Sequence, residues 1–340
     1  MAVKGSRVPR PRLPSRPPTP VPALGAGETA LGKGITMWGA PGTGKTTFLA
    51  ALYTALLDQE TGWWLRGADE QSTEVLVSLT DTLAEKGVYP VQTVGIKNYR
   101  WSLVGTMPRA FREWHWYGPR RLDTNVVIPL DLVDAAGEVA DASVIASREA
   151  TKRFVDHLQS SAGIVFCYDP IREFTEGDTF RHTFGVLAQL DSKMNRRGKL
   201  PHHVAVCVTK FDEQRVFDAA ARLGVIEYDE APPCFPRVPG EDAREFFARL
   251  CAVSRTHSAH RVLQLLERHF EPSRIKFFVT SAIGFYVDRY SGVFNPADYQ
   301  QHIARAGEEE EPRVRGMVRP INVVEPIVWL AEKLARTAGE

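Results

Sequence analysis

Apolar residues gather along this chain in short continuous runs rather than in strict alternation. Gly34–Trp38, Gly163–Tyr168 (GIVFCY), Val204–Val208 (VAVCV) and Lys276–Val279 have the form of strands buried on both faces. Longer stretches with helical spacing lie between them: Phe48–Leu57, Thr73–Leu83, Asp141–Leu158, about Asp178–Met194, Asp242–His269 and a closing Val323–Leu334. Pro326 falls near the first turn of the last, where proline is tolerated. Strands alternating with helices predict an α/β fold with a mostly parallel sheet. Two further strand-like runs, Ile96–Val104 and Thr124–Val133, have too little chain between them for a crossover helix. They predict an antiparallel hairpin with an elaborated connection. The stretch 59–95 is less regular, with Trp63 and Trp64 as anchors.

Composition adds boundaries. Residues 1–30 alternate proline with arginine and carry no acidic residue before Glu28, so they read as a solvated tail that cannot bury enough surface to order itself. Residues 31–340 read as a single domain with excursions at about 105–122, 225–240 and 285–320. The charged run Glu308–Glu311 in the last of these reads as a solvated loop. Of 340 residues, 44% are apolar and 24% charged, as in a globular protein, and the net charge of +1 gives no global pull toward nucleic acid or a membrane surface. The Trp/Arg stretch between Pro108 and Arg121 has the ingredients to stack a base, but packing the hairpin against the body or a partner is the expectation, and no nucleic-acid partner follows. Four cysteines without C-x-x-C spacing, no apolar run long enough to span a bilayer and no secretory signal predict a cytoplasmic protein.

The chemistry centres on Gly39-Ala40-Pro41-Gly42-Thr43-Gly44-Lys45-Thr46-Thr47, which fits G-x-x-x-x-G-K-[ST] between a strand and a helix. Glycines let the backbone turn around an anion, so that successive N–H groups and the helix N-terminus point at phosphate. Lys45 then reaches the β- and γ-phosphates, and the Thr46 hydroxyl ligates Mg²⁺. The hairpin's second run leads into Asp134-Ala135-Ala136-Gly137-Glu138. Asp134 sits where a second Mg²⁺-binding element belongs, and the Gly137 N–H is free to approach a γ-phosphate. Val204–Val208 runs into Thr209-Lys210-Phe211-Asp212. A carboxylate there accepts from the N1–H and exocyclic amine of guanine, a donor pair adenine lacks, while the Lys210 stem lies over the base. Thr280-Ser281-Ala282-Ile283 follows the last strand, with a backbone placed to close over the base. His257 and His260 lie one turn apart without a third ligand and read as helix-surface residues.

The ordered set Gly39–Thr46, Asp134–Gly137, Thr209–Asp212 and Ser281–Ala282 resembles the motifs of the Ras-like, translation-factor-related class of P-loop GTPases. It looks closest to the bacterial "double-GTPase" group, often encoded beside a second GTPase. The resemblance implies a P-loop NTPase three-layer sandwich, a mostly parallel six-stranded sheet with one antiparallel edge strand. It also implies GTP/GDP and Mg²⁺ as ligands, slow hydrolysis that resets a switch, and a protein partner. Two departures stand out. Glu138 occupies the place where such proteins usually carry the glutamine that orients the attacking water, so a non-hydrolysing GTP-binding scaffold is the alternative. The switch threonine that completes the Mg²⁺ shell is not obvious: Thr93 is the choice, with Thr106 and Thr124 open. No one arginine among Arg100, Arg109, Arg112, Arg120 and Arg121 is selected as a finger. A P-loop ATPase is disfavoured because Ala135 follows Asp134 and Asp212 favours guanine.

Overall fold

The computed structural model describes residues 28–31, 33–58, 62–90, 99–109, 122–132, 144–194, 198–254, 259–303 and 312–338. Its strands are β1 (Glu28–Ala30), β2 (Ile35–Trp38), β3 (Trp63–Gly67), β4 (Tyr99–Arg109), β5 (Leu122–Leu132), β6 (Gly163–Tyr168), β7 (His203–Val208), β8 (Glu227–Tyr228), β9 (Pro236–Arg237), β10 (Ile275–Val279), β11 (His302–Ile303) and β12 (Arg313–Val314). Its α-helices are α1 (Lys45–Asp58), α2 (Glu70–Thr80), α3 (Val144–Ser160), α4 (Pro170–Thr175), α5 (Thr179–Met194), α6 (Gln214–Leu223), α7 (Ala243–Ala252), α8 (His260–His269) and α9 (Val324–Ala338). None of these helices is long and apolar enough to cross a membrane.

The main sheet runs β10-β7-β6-β2-β5-β4-β3, and β1 also pairs with β5. The strands β2, β5, β6, β7 and β10 are parallel, and the β4–β5 hairpin is antiparallel, as its short connection requires. Alternate side chains of β6 divide the core. Ile164, Phe166 and Tyr168 pack with Phe154, Leu187 and Phe247 on one face. Val165 and Cys167 pack with Leu49, Leu52 and Leu330 on the other. Both faces are therefore covered by helices, which is why the central strands read as unbroken apolar runs. The result is a three-layer α/β sandwich of the P-loop type.

The sheet has eight strands rather than six. One addition is β1, drawn from residues assigned to the tail; the other is β3, in the stretch read as irregular. The antiparallel strand β4 is consequently flanked by β3 on its outer side. β1 and β2 pair with the same side of β5, Ala30 opposite Val127 and Ile35 opposite Leu130, so the register shifts by two residues between them. Pro129 falls at that interruption, where a strand tolerates a residue without an N–H. The helical stretch 242–269 is two helices, α7 and α8, and not one. His260 opens α8, while His257 lies outside the described residues.

Trp63 explains why β3 forms. Its indole is buried against Gly105, its partner in β4, and a Cβ on Gly105 would lie 2.1 Å from Trp63 Cε3. Gly105→Ala is expected to lower stability by about 2–4 kcal/mol, read as a shifted denaturation midpoint with altered tryptophan emission. An unchanged midpoint would show that the indole moves aside freely.

Candidate nucleotide site

Parallel strands bring their C-terminal ends to one edge, and ligands gather there at the point where the strand order reverses. In this sheet that point lies between β2 and β6. The loop after β2, Gly39–Gly44, curls there before α1 begins at Lys45. Gly42 and Gly44 hold φ of 72° and 86°, and a Cβ on either would meet nothing, so they bend the loop around open space. Gly39 is different: its Cβ would lie 2.7 Å from the Cys167 carbonyl oxygen, so it lets the loop leave β2 hard against β6.

The Lys45 side chain, only 5% exposed, folds back over the loop with Nζ 3.1 Å from the carbonyl oxygens of both Gly39 and Ala40. A cation is thereby held against the loop by two backbone carbonyls. The Thr43 hydroxyl donates to the Ala40 carbonyl at 2.9 Å and braces the turn. Pro41, Thr46 and Thr47 are half-buried around the loop and the first turn of α1.

A cavity of ≈ 250 Å³ extends from this loop along the strand ends, from Gly42–Gly44 and Thr47 to Lys210, Asp212 and Ala282. Asp212 is 7% exposed and accepts a hydrogen bond from the Ser281 hydroxyl, which itself accepts from the Gly284 N–H at 2.8 Å. Burial is the main cause that pushes its carboxyl up to about 6, with Glu213 adding repulsion and Ser281 partly opposing. The carboxylate is thus buried and oriented by Ser281 at the edge of the cavity.

Thr209 lines the cavity, but its hydroxyl lies 3.1 Å from the Tyr168 carbonyl and 3.3 Å from that of Thr43, which ties β6, β7 and the phosphate loop together. Its part is to position the loop. Lys210 sits at φ 60° and its Nζ pairs with Asp169 at 2.7 Å, which stretches the stem across the cavity wall.

Sequence reading brought Gly39–Thr47, Thr209–Asp212 and Ser281–Ala282 together, and the structure places them on one edge. Asp134, Gly137, Glu138 and Thr93 lie outside the described residues. Three participants were missed. Asp169, 1% exposed at the end of β6, carries the same signal that singled out Asp134, an acidic residue closing an apolar strand. Tyr89 and His302 also line the cavity. No local pattern marks them, because each is delivered by tertiary contacts. The excursion 285–320 contributes to the site, while its charged run Glu308–Glu311 lies outside the described residues. Ser281 and Ile321 exchange backbone hydrogen bonds of 3.0 and 2.8 Å, and the Gln301 side chain donates to the Met317 carbonyl at 2.7 Å.

Fold and site together define a P-loop α/β sandwich with its phosphate loop and a buried carboxylate on one cavity. No protein-family profile matches the chain, and no curated protein matches it. Among solved structures it is similar to the Arl6 BBS3 small GTPase from Trypanosoma brucei with bound nucleotide analogue GppNp, at 12% identity and a TM-score of 0.35, covering 91% of this chain and 99% of that one. It is also similar to the Saccharomyces cerevisiae Ski7 GTPase-like domain bound to GTP, at 12% identity and 0.37, covering 91% and 50%. A third is the bacterial selenocysteine-specific elongation factor EF-Sec, at 14% and 0.28, covering 73% and 25%. The chain thus spans half or less of the last two. Overlaps this loose match no residue of those proteins to one here, and the site's own geometry carries the reading that follows.

Proposed function

We propose that this chain binds GTP and GDP with Mg²⁺ and hydrolyses GTP slowly, acting as a nucleotide-dependent switch toward a protein partner. The observation that carries the reading is the buried Asp212 carboxylate in the same cavity as the phosphate loop. Guanine would present its N1–H and exocyclic amine to that carboxylate, and the open loop at Gly42–Gly44 accepts the phosphates.

In this reading Gly39, Pro41, Gly42, Thr43 and Gly44 shape the loop, and Lys45 moves from the loop carbonyls to the β- and γ-phosphates. Thr209, Lys210, Ser281 and Ala282 support Asp212 around the base. Among the described residues no group of three or more His, Cys, Asp or Glu could hold a metal alone. In this reading Mg²⁺ would be held from the protein by Thr46, Asp134 and Thr93, the last two outside the described residues. Bound Mg²⁺ would neutralise charge developing on the phosphates. Hydrolysis adds water to the γ-phosphorus as the bond to the β-bridging oxygen breaks, giving GDP and inorganic phosphate. The Gly137 N–H approaches the γ-phosphate, and Glu138 stands beside the attacking water. The resemblance to the double-GTPase group makes a second GTPase-like protein the proposed partner.

The test is Mg²⁺-dependent binding of fluorescent GTP, competed by GDP and by ATP. Competition by GDP but not ATP is expected, and equal competition by ATP would overturn the base assignment. Turnover then separates a switch from the scaffold that Glu138 suggests. If the carboxylate accepts the water proton, Glu138→Gln lowers single-turnover hydrolysis by roughly 10²–10⁴-fold at unchanged GTP affinity. A rise would mean that Glu138 restrains hydrolysis instead.

A further inference from the structure

The cavity that holds Asp212 is also lined by two side chains that lie far apart in sequence. Tyr89 follows α2, and His302 belongs to the excursion after β10. The Tyr89 hydroxyl and His302 Nδ1 are 3.0 Å apart, their rings are 5.5 Å centre to centre, and both line the cavity. The backbone repeats the link. The Val314 N–H donates to the Gly87 carbonyl at 2.7 Å, and Val88 bridges Arg313. Gly87 has φ 64°, and a Cβ there would sit 3.2 Å from the Val314 carbonyl oxygen.

The excursion is in turn anchored beside Asp212. Besides the Ser281–Ile321 exchange, the Arg319 N–H donates to the Ile283 carbonyl at 3.1 Å. Gln301, 1% exposed and next to His302, accepts from the Gly316 N–H at 3.2 Å. Gly284, at φ 70°, allows the crossing, since its Cβ would lie 2.0 Å from the Arg319 carbonyl oxygen. His302 thus projects from a braced strap whose root is the base-recognition turn. Tyr89 lines the same cavity, near enough to Asp212 and Glu213 that both, after burial, raise its phenol above the ordinary tyrosine range.

We infer that His302 is a positioning residue of the base subsite: by holding the Tyr89 hydroxyl it fixes the Tyr89 ring against the cavity beside Asp212 and slows release of bound guanine nucleotide. The inference rests on the guanine reading above. A hydrogen bond holding a ring at a ligand's edge is expected to act mainly on dissociation, because affinity differences within one site lie mostly in the off-rate.

The test is displacement of fluorescent GDP from the full chain by excess unlabelled GDP, for wild type, Tyr89→Phe, His302→Ala and the double variant. Inorganic pyrophosphate competition is measured alongside. Each single variant is expected to release GDP about 5–10-fold faster, as loss of one hydrogen bond implies. The double variant should be no faster than the singles, because the two residues act through one contact. Pyrophosphate affinity should stay within about twofold of wild type, since the phosphate loop is untouched; tyrosine to phenylalanine keeps the ring, so that variant decides the matter if His302→Ala unfolds. Unchanged release, additive effects, or equal loss of pyrophosphate would each overturn the inference while leaving guanine binding intact. A wild-type chain that binds no guanine nucleotide would bring down the guanine reading and this inference together.

Discussion

Asp212→Asn is expected to lower GTP affinity by roughly 10²–10³-fold, the loss of two hydrogen bonds to a charged acceptor. The same change should create affinity for xanthosine triphosphate. Xanthine presents a carbonyl where guanine has its exocyclic amine, so an asparagine can accept from N1–H and donate to that carbonyl. The Ser281 hydroxyl, which donates to Asp212 Oδ1, can keep its partner in the variant. The substitution should also stabilise the empty protein at neutral pH. In the folded state the Asp212 carboxyl is raised from 3.8 to about 6. The folded form therefore binds its proton more tightly than the unfolded chain does. Stability from this group falls as pH rises from about 4 to 6 and stays low above that. Two pK units correspond to something on the order of 3 kcal/mol. Asparagine escapes that penalty, and a nucleotide-free melting temperature about 5 °C higher at pH 7 is expected. Guanine binding in wild type should strengthen as pH rises through about 6, where the carboxylate becomes available. Scanning fluorimetry from pH 4.5 to 7.5, with titrations of GTP and its xanthine analogue, reads all three effects. Retained guanine preference in the asparagine variant would remove Asp212 from the base subsite.

Lys45→Ala is expected to abolish tight triphosphate binding, with a loss of about 10³-fold for GTP. The geometry permits a sharper statement. Lys45 Nζ sits between the Gly39 and Ala40 carbonyl oxygens at 3.1 Å each, so the lysine also braces the loop. If its main contribution is charge, affinity should fall steeply for GTP, less for GDP and hardly at all for guanosine. If it mainly braces the loop, the fractional loss should be similar for all three. Calorimetric titration of the three ligands against both proteins separates the cases. Equal losses across the series would mean that the ammonium does not touch phosphate.

The central strands were legible in the sequence because each is buried on both faces, which leaves an apolar run with no polar interruption. Gly163–Tyr168 appears with the predicted bounds, and Val204–Val208 gains only His203. The hairpin was legible from the shortness of its connection, although both strands extend farther into that connection than their apolar cores suggest. β3 was hidden because its stability comes from a glycine in another strand. Trp63 and Trp64 stand out in the sequence, but the groove that Trp63 fills at Gly105 exists only after β4 pairs. Within the site, the phosphate loop and Asp212 announce themselves because backbone chemistry and base chemistry each impose a spacing. Tyr89 and His302 do not, since 213 residues separate them and only the folded excursion brings them together. Asp169 was available to the reasoning that found Asp134, but its role depends on Lys210 reaching back from the neighbouring strand.

The long strand β5 sets two poles. At one end its register with β2 delivers Leu132 to the nucleotide edge. At the other, Leu122 lies opposite Arg109, and Glu28 of β1 pairs with Asn125. Eleven residues of extended backbone span about 35 Å at the usual rise of a strand. The Pro/Arg-rich segment that precedes Glu28 and the Trp/Arg-rich segment between Arg109 and Leu122 are therefore both rooted at the pole away from the phosphates. A protein gripping either root leaves the candidate site clear. Any message between the two would travel along a single inextensible ribbon, so pulling on the hairpin is a mechanical way to load the chain that carries Asp134.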